Sequence, residues 1–230
     1  MNIALIGYGK MGHALETLAP QRGHTIHCIV DSDDDWRRHA DALRRCDIAL
    51  EFTQPSCAVR NIERCFGLNL PVVCGTTGWY DRLDALAARC REHGQALLVA
   101  SNFSIGMNIM FELNRRLAAL MAAHPEYRVA LSETHHIHKL DAPSGTALAL
   151  AHDINQACRA GCLPPSGIVS IREGEVAGIH EVVYDSDDDT LTLRHSAKSR
   201  RGLAVGALVA AEYLHGRKGF YTMGDLLSEA

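Results

Sequence analysis

The sequence predicts an α/β protein: a Rossmann-like doubly wound parallel sheet joined to an α+β domain with a mixed sheet. Three observations lead there. Over the first 100 residues, short apolar runs alternate with longer segments whose apolar residues recur near a 3.6 period, the rhythm of repeated βαβ units. The first of these runs feeds directly into a glycine-rich turn and then a helix pattern. From about Met107 the rhythm gives way to a long helix and strands of alternating polarity.

The first strand, IALI at residues 3–6, is apolar throughout, as a strand covered on both faces must be. Further strands of this kind are expected at 25–30, 47–52, 71–74 and 96–100, with helices at 11–21, 36–45, 58–66 and 80–93 between them. A helix at 108–123 then leads to a strand at 127–132, a polar loop, and a helix at 144–160. Pro143 disfavours helix at Ala142, and the Ser144 hydroxyl can cap the helix that begins at Gly145. Strands are expected at 168–172, 181–184 and 191–195, the last two flanking an acidic hairpin turn at 185–189. An apolar helix at 203–214 precedes Gly219 and a short tail.

A chain of 230 residues, 47% of them hydrophobic and 22% charged, can bury a sizeable core. Its net charge of -4 removes the electrostatic footprint of a nucleic-acid binder. No apolar run approaches the roughly 20 residues that span a bilayer, and the amino terminus does not read as a signal peptide, so a cytoplasmic protein with no membrane partner is expected. The eight cysteines form no CxxC pair and read as reduced thiols. Cys158 and Cys162, beside Gly161, are the one pair close in sequence, at a helix end.

In IGYGKMG the glycines have separate tasks: Gly7 for the tight turn, Gly9 for close approach of a pyrophosphate, and Gly12 for packing helix on strand. Lys10 and Met11 lie between them, and the helix amino terminus offers N–H groups to phosphate oxygens. Asp31 comes 19 residues after Gly12, where a carboxylate accepts hydrogen bonds from both adenosine ribose hydroxyls. Asp33, Asp34 and Asp35 should repel a 2′-phosphate, and Arg37 and Arg38 come later, so NAD(H) is preferred, with NADP(H) also accepted.

The segment SETHHIHKLDAPSGT, residues 132–146, crowds three histidines, a lysine and a helix start together. His135, His136 and His138 can titrate near neutrality, and Lys139 can donate a proton or bind a carboxylate. Ser144, Gly145 and Thr146 open a helix whose N–H groups form a second anion site. A metal set of Glu133, His135, His136 and His138 is the rival reading. HExxH is absent, and adjacent histidines on a strand point to opposite sides, so no metal is assigned. His138 remains open between site wall and solvent.

With EFTQP from Glu51, CGTTGW from Cys74, ASNFSIGMN from Ala100, IREGEVAGIHEV from Ile171, RHSAKSRRGLAVGA from Arg194 and GFYTMGDLL near the end, these motifs resemble the 4-hydroxy-tetrahydrodipicolinate reductase (dihydrodipicolinate reductase) family across nearly the whole chain. The resemblance implies NAD(P)H-dependent reduction of a small cyclic dicarboxylate on the diaminopimelate route to lysine. It implies that His135 transfers a proton, that Lys139 donates one, and that His136, Ser144, Gly145, Thr146 and Arg200 bind substrate, with Arg201 a competing assignment for Arg200. Gly75, Thr76, Thr77, Ala100, Ser101, Asn102 and Phe103 would line the nicotinamide side. The implied dinucleotide domain is 1–104 with 200–230, the substrate and oligomerisation domain 105–199, and the assembly a homotetramer built through the second sheet. Glu51 stands where aspartate is commoner, the segment between Asp31 and Phe52 is short, and Leu203 replaces an aromatic. Another NAD-dependent amino-acid-type dehydrogenase, a catalytically silent dinucleotide binder and a zinc hydrolase are the rival functions.

Overall fold

A computed structural model describes residues 1–158 and 162–229. The expected helix end at 159–160, and Gly161 between the two cysteines, lie outside these. The chain divides into two compact units, Met1–Ser104 with Arg201–Ala230, and Ile105–Arg200.

The first unit begins with β1 (Asn2–Ile6), α1 (Lys10–Leu18), β2 (Thr25–Val30), α2 (Asp33–Arg38), α3 (Ala40–Leu43), β3 (Ile48–Glu51), α4 (Pro55–Gly67), β4 (Val72–Cys74), α5 (Leu83–Glu92) and β5 (Ala96–Val99). Ile3, Ala4, Leu5 and Ile6 are almost wholly buried because helices cover both faces of the sheet. On α4 the buried Ala58, Ile62, Cys65 and Phe66 recur at helical spacing and form the face laid on the sheet. Each large side chain so buried contributes roughly 1.5–3 kcal/mol. The helix expected at 36–45 is instead two short ones. Ser32 caps α2 by accepting from the Asp35 N–H, and three aspartates in its first turn suit the positive end of a helix, so the helix starts early and breaks at His39.

The second unit holds α6 (Ile105–Met121), β6 (Arg128–His135), α7 (Gly145–Ala157), β7 (Ile168–Arg172), β8 (Ile179–Asp185) and β9 (Thr190–Ser196). Its sheet runs β7-β6-β8-β9, with β6 and β7 parallel and the other pairs antiparallel, so it is mixed as expected. Leu131, Ile168, Val182 and Tyr184 point inward and share a core with Met107, Met110, Leu150 and Ile154 of α6 and α7. The opposite face leaves Val169 and Ile171 exposed. Strand β6 runs three residues past the expected end at 132, which carries Glu133 and His135 onto the inward face.

The final segment returns to the first unit as α8 (Arg201–Leu214), the helix expected at 203–214, followed by β10 (Gly219–Tyr221) and α9 (Met223–Ser228), where the sequence suggested only a tail. Strand β10 pairs parallel with β5, giving the order β10-β5-β4-β3-β1-β2. Thr222 and Asp225 form the capping box that starts α9. The strand order reverses between β1 and β3, so the loops leaving these two strands diverge and open a crevice at their carboxyl ends. Among the described residues, no helix is long and apolar enough to cross a membrane. All eight cysteines are free, and the Sγ atoms of Cys28 and Cys46, distant in sequence, approach to 3.8 Å.

Candidate active site

In the first unit the crevice is shaped by glycine. Gly7 adopts φ +95°, and a Cβ there would lie 2.3 Å from the Phe52 carbonyl oxygen. A Cβ on Gly12 would fall 2.7 Å from the Gly7 oxygen, whereas one on Gly9 meets nothing within 4 Å, so space is kept open at Gly9. Gly9 precedes α1 without a capping side chain, which leaves first-turn N–H groups for a ligand. A cavity of about 400 Å³ is lined by Gly7, Tyr8, Gly9, Asp31, Ser32, Asp33, Trp36, Thr53, Arg60 and neighbours. A second, of about 430 Å³, is lined by Gly9, Lys10, Met11, Thr53, Gly75, Thr76, Thr77 and others. Gly9, Phe52 and Thr53 line both. Two lobes meeting at a bare glycine could hold the two halves of a dinucleotide.

Asp31 stands at the mouth of the first cavity, and its Oδ1 accepts the Tyr8 N–H at 2.8 Å, bracing the glycine turn. The acidic run after it is less repulsive than the sequence suggested. Asp33 pairs with Arg64 at 2.6 Å and Arg60 at 3.4 Å, Asp34 with Arg37, and Asp35 with Arg38 at 3.0 Å. Arg60, on α4, lines the cavity itself; no local pattern after β2 announces it. Behind the lining, the fully buried Glu51 carboxylate accepts from the Thr53 hydroxyl, Thr76 Oγ1 at 2.6 Å, Asn61 Nδ2 at 3.2 Å and Cys74 Sγ at 3.2 Å. The Thr53 N–H in turn donates to Thr76 Oγ1 at 2.8 Å, so the loops after β3 and β4 are tied together. Ala100, Ser101, Asn102 and Phe103 come directly after β5; Ser101 is exposed, while Phe103 is buried with its ring 5.6 Å from that of Phe52.

In the second unit, the end of β6, the loop after it and the start of α7 bring the other predicted residues together. His135 is buried, its Nε2 3.2 Å from Glu133 Oε2. Lys139 Nζ pairs with Asp141 at 2.7 Å, and its carbonyl accepts from Arg172 Nε at 3.2 Å. Ser144 caps α7 by accepting from the Ala147 N–H, with Gly145 and Thr146 in the first turn. Of the two arginines left open, Arg200 lies beside His136, NH2 to Nε2 3.4 Å, whereas Arg201 reaches Gln21 in the first unit. His138 turns to solvent and pairs with Glu175.

Sequence reasoning gave no role to His180, Ser170 or Arg172, and weighed Glu133 only as a metal ligand. His180 lies one residue before the strand expected at 181–184; the same alternation carried back one step would have placed it inward, opposite Glu133. Glu133, His135 and His180 have ligand atoms within 4.8 Å of one another, a set without His136 and His138. Glu133 Oε1 already accepts from the Ser144 N–H and Ser170 Oγ and lies 3.5 Å from the Arg172 guanidinium, which suits a carboxylate that holds imidazoles better than one that takes a cation.

Burial lowers the His180 pKa to about 4, reinforced by His135. Burial also lowers His135, aided by Lys139 and Arg172, while Glu133 opposes the shift. Burial pushes the Glu133 carboxyl up, but hydrogen bonds from Ser144 and Ser170 outweigh it and hold the group below its usual value. A histidine kept neutral by the fold contributes stability that is intact above the ordinary imidazole pKa and is lost as pH falls toward the folded value. From pH 6.5 to about 4, His180 alone should therefore remove about 3 kcal/mol. Urea midpoints measured across that window should fall steeply in the parent and less steeply in His180→Asn; parallel slopes would contradict the assignment.

Residues 1–103 match the N-terminal part of the dihydrodipicolinate reductase family, and residues 106–227 its C-terminal part. The chain is similar to the 4-hydroxy-tetrahydrodipicolinate reductase of Christiangramia forsetii, with 43% identity over 100% of this chain and 98% of that one. It is 34% identical to the enzyme of the same name from Akkermansia muciniphila, over 95% and 94% of the two chains. In fold it resembles a dipicolinate-bound dihydrodipicolinate reductase from Paenisporosarcina sp. TG-14, with a TM-score of 0.78 and 21% identity over 96% of this chain and 97% of that one. With both parts of the family matched in order and a relative aligned end to end, the chain belongs to the dihydrodipicolinate reductase family.

Proposed function

We propose that in this reductase His135 and Lys139 deliver the proton that accompanies hydride addition, while the start of α7 and Arg200 hold the carboxylates of the substrate. The activity is NAD(P)H-dependent reduction of 4-hydroxy-tetrahydrodipicolinate, a step toward diaminopimelate and lysine. The observation that carries the residue assignment is the gathering of an imidazole, an ammonium, a guanidinium and a helix amino terminus at one end of the second sheet.

NAD(P)H, when bound, supplies a hydride to the substrate ring. Hydride addition to a conjugated C=N system leaves electron density that must be met by a proton, and a cation nearby lowers the barrier. Lys139 offers both. The N–H groups of Gly145 and Thr146, with the positive end of α7 behind them, and the Arg200 guanidinium each suit a carboxylate. Dipicolinate, held by the Paenisporosarcina enzyme, is a planar ring with two carboxylates, and a cyclic dicarboxylate of that type is the substrate class proposed here.

The unit Met1–Ser104 with Arg201–Ala230 is assigned to the dinucleotide, and Ile105–Arg200 to substrate and subunit contacts. Asp31 favours NADH through the ribose hydroxyls, and Arg60 gives a 2′-phosphate a cationic neighbour, so NADPH is accepted too. Asp31→Ala should weaken NADH binding much more than NADPH binding; equal losses in a fluorescence titration would contradict the contact. The open sheet face bearing Val169 and Ile171 suits a subunit interface, and a homotetramer is the expected assembly. Eight free thiols suit the reducing cytoplasm. The decisive assay adds enzymatically generated substrate to protein and NADH or NADPH and tracks the nicotinamide absorbance. Oxidation that depends on this substrate supports the reading, and turnover only with another amino-acid-type substrate sinks it.

A further inference from the structure

Four strands each bring one polar residue to the same level of the inward sheet face. Ser170 on β7, Glu133 on β6, His180 on β8 and His195 on β9 are register partners in turn. Two residues along β7, Arg172 is the register partner of His135. Glu133 sits at the centre with its side chain fully buried, and its two oxygens have different duties. Oε1 accepts the Ser144 N–H at 3.0 Å and the Ser170 hydroxyl at 2.9 Å. Oε2 faces imidazoles, His135 Nε2 at 3.2 Å and His180 Nε2 at 3.7 Å; Oε2 and His135 Nε2 are both buried with no aligned hydrogen-bond partner, so each is the nearest group that can satisfy the other.

An ionised carboxylate has no proton to give, so a neutral imidazole that turns Nε2 toward it carries its proton on Nε2. The other edge of the His135 ring lies over Gly178. A Cβ on Gly178 would fall 3.1 Å from His135 Cε1 and 3.4 Å from Nδ1, and φ +152° there favours glycine. A side chain at this position would crowd that edge.

We propose that Glu133 is the positioning residue of the acid–base site: it fixes His135 with its proton on Nε2 and leaves Nδ1, over Gly178, as the nitrogen that exchanges a proton with substrate. Through the Ser144 N–H the same carboxylate ties His135 to the first turn of α7, so the proton-transfer group and the carboxylate cradle keep one spacing. The charged and titratable groups facing His135 are Glu133 from β6, Lys139 from the loop after it, Arg172 from β7 and His180 from β8, with His195 of β9 beyond His180. Glu133 is the anion among them, and it favours a protonated His135 where burial and the two cations disfavour it. The tautomer half stands on geometry; the proton-exchange half rests on the reading of His135 proposed above.

The test is side-chain nitrogen NMR of the full chain labelled with 15N-histidine, in the parent and in Glu133→Gln. The parent should show His135 as the Nε2–H tautomer. In Glu133→Gln the amide donates toward His135, so the Nδ1–H tautomer should appear, and the ring should titrate at lower pH than in the parent. kcat should fall about 10²-fold with KM changed less than about threefold. Glu133→Asp, which restores the charge on a shorter arm, should recover the Nε2–H tautomer and part of kcat. An Nδ1–H tautomer in the parent, a reading that does not depend on any variant folding, overturns the proposal. So does a Glu133→Gln protein that keeps both kcat and tautomer. Full activity in His135→Ala would overturn the proton-exchange half together with the proposed function, while the spectra would still decide the orientation half.

Discussion

Replacing Lys139 or His135 by alanine should lower kcat by about 10²-fold or more, while the NADH dissociation constant should stay within about twofold of the parent. The size reflects the contribution of a positioned proton donor to a transition state that gains electron density. The separation of effects reflects where these residues lie. Lys139 and His135 belong to the second unit, and the residues lining the two cavities assigned above to the dinucleotide all belong to the first. The Lys139 backbone is held independently of its ammonium, because Arg172 donates to the carbonyls of Lys139 and Asp141, so truncation should leave the loop in place. Steady-state kinetics with a parallel NADH fluorescence titration checks this. Loss of NADH binding in either variant would show that these residues had been assigned to the wrong site.

The largest stability effect is expected at Glu51. Its carboxylate presents about four lone-pair positions, and four neutral groups donate to it, from Thr53, Asn61, Cys74 and Thr76. Alanine would leave those donors buried without an acceptor, at roughly 1–3 kcal/mol for each one that finds no substitute. The expected loss is at least about 3 kcal/mol, a large share of the roughly 5–15 kcal/mol that holds a domain folded. Thr53 and Thr76 also line the cavities, so NADH binding should weaken about tenfold even where the variant remains folded. Glu51→Asp keeps the charge and should lose less on both counts. Urea unfolding with NADH titration of the folded fraction distinguishes these outcomes; a loss under about 1 kcal/mol in Glu51→Ala would show that the network is dispensable.

The first unit was legible because its signals are local. A both-faces-buried strand such as Ile3 to Ile6, or the period of Ala58, Ile62, Cys65 and Phe66, needs no knowledge of partners to be read. What escaped depends on distant chain. Strand β10 is three residues long, without alternation, and exists because β5, more than 100 residues earlier, offers it an edge. Arg60 reaches the cavity from a helix face that reads as ordinary solvent-exposed charge. The segment bearing His135 and Lys139 declared itself by crowding, but the place of His180 in it, opposite Glu133, depends on the antiparallel register of β6 and β8. The break between α2 and α3 has a local cause: the Ser32 cap and the three aspartates after it start α2 early, signals that the apolar period at 36–45 does not carry.

The return of the chain at β10 bears on its synthesis. A ribosome releases residues 1–104 long before Gly219 to Tyr221, so until those residues emerge the backbone N–H and C=O groups along one side of β5 lack their final neighbour. A nascent chain stalled before residue 219 would carry an unguarded sheet margin ready to pair with another chain, and a chaperone's service would be needed most in the interval before β10 emerges.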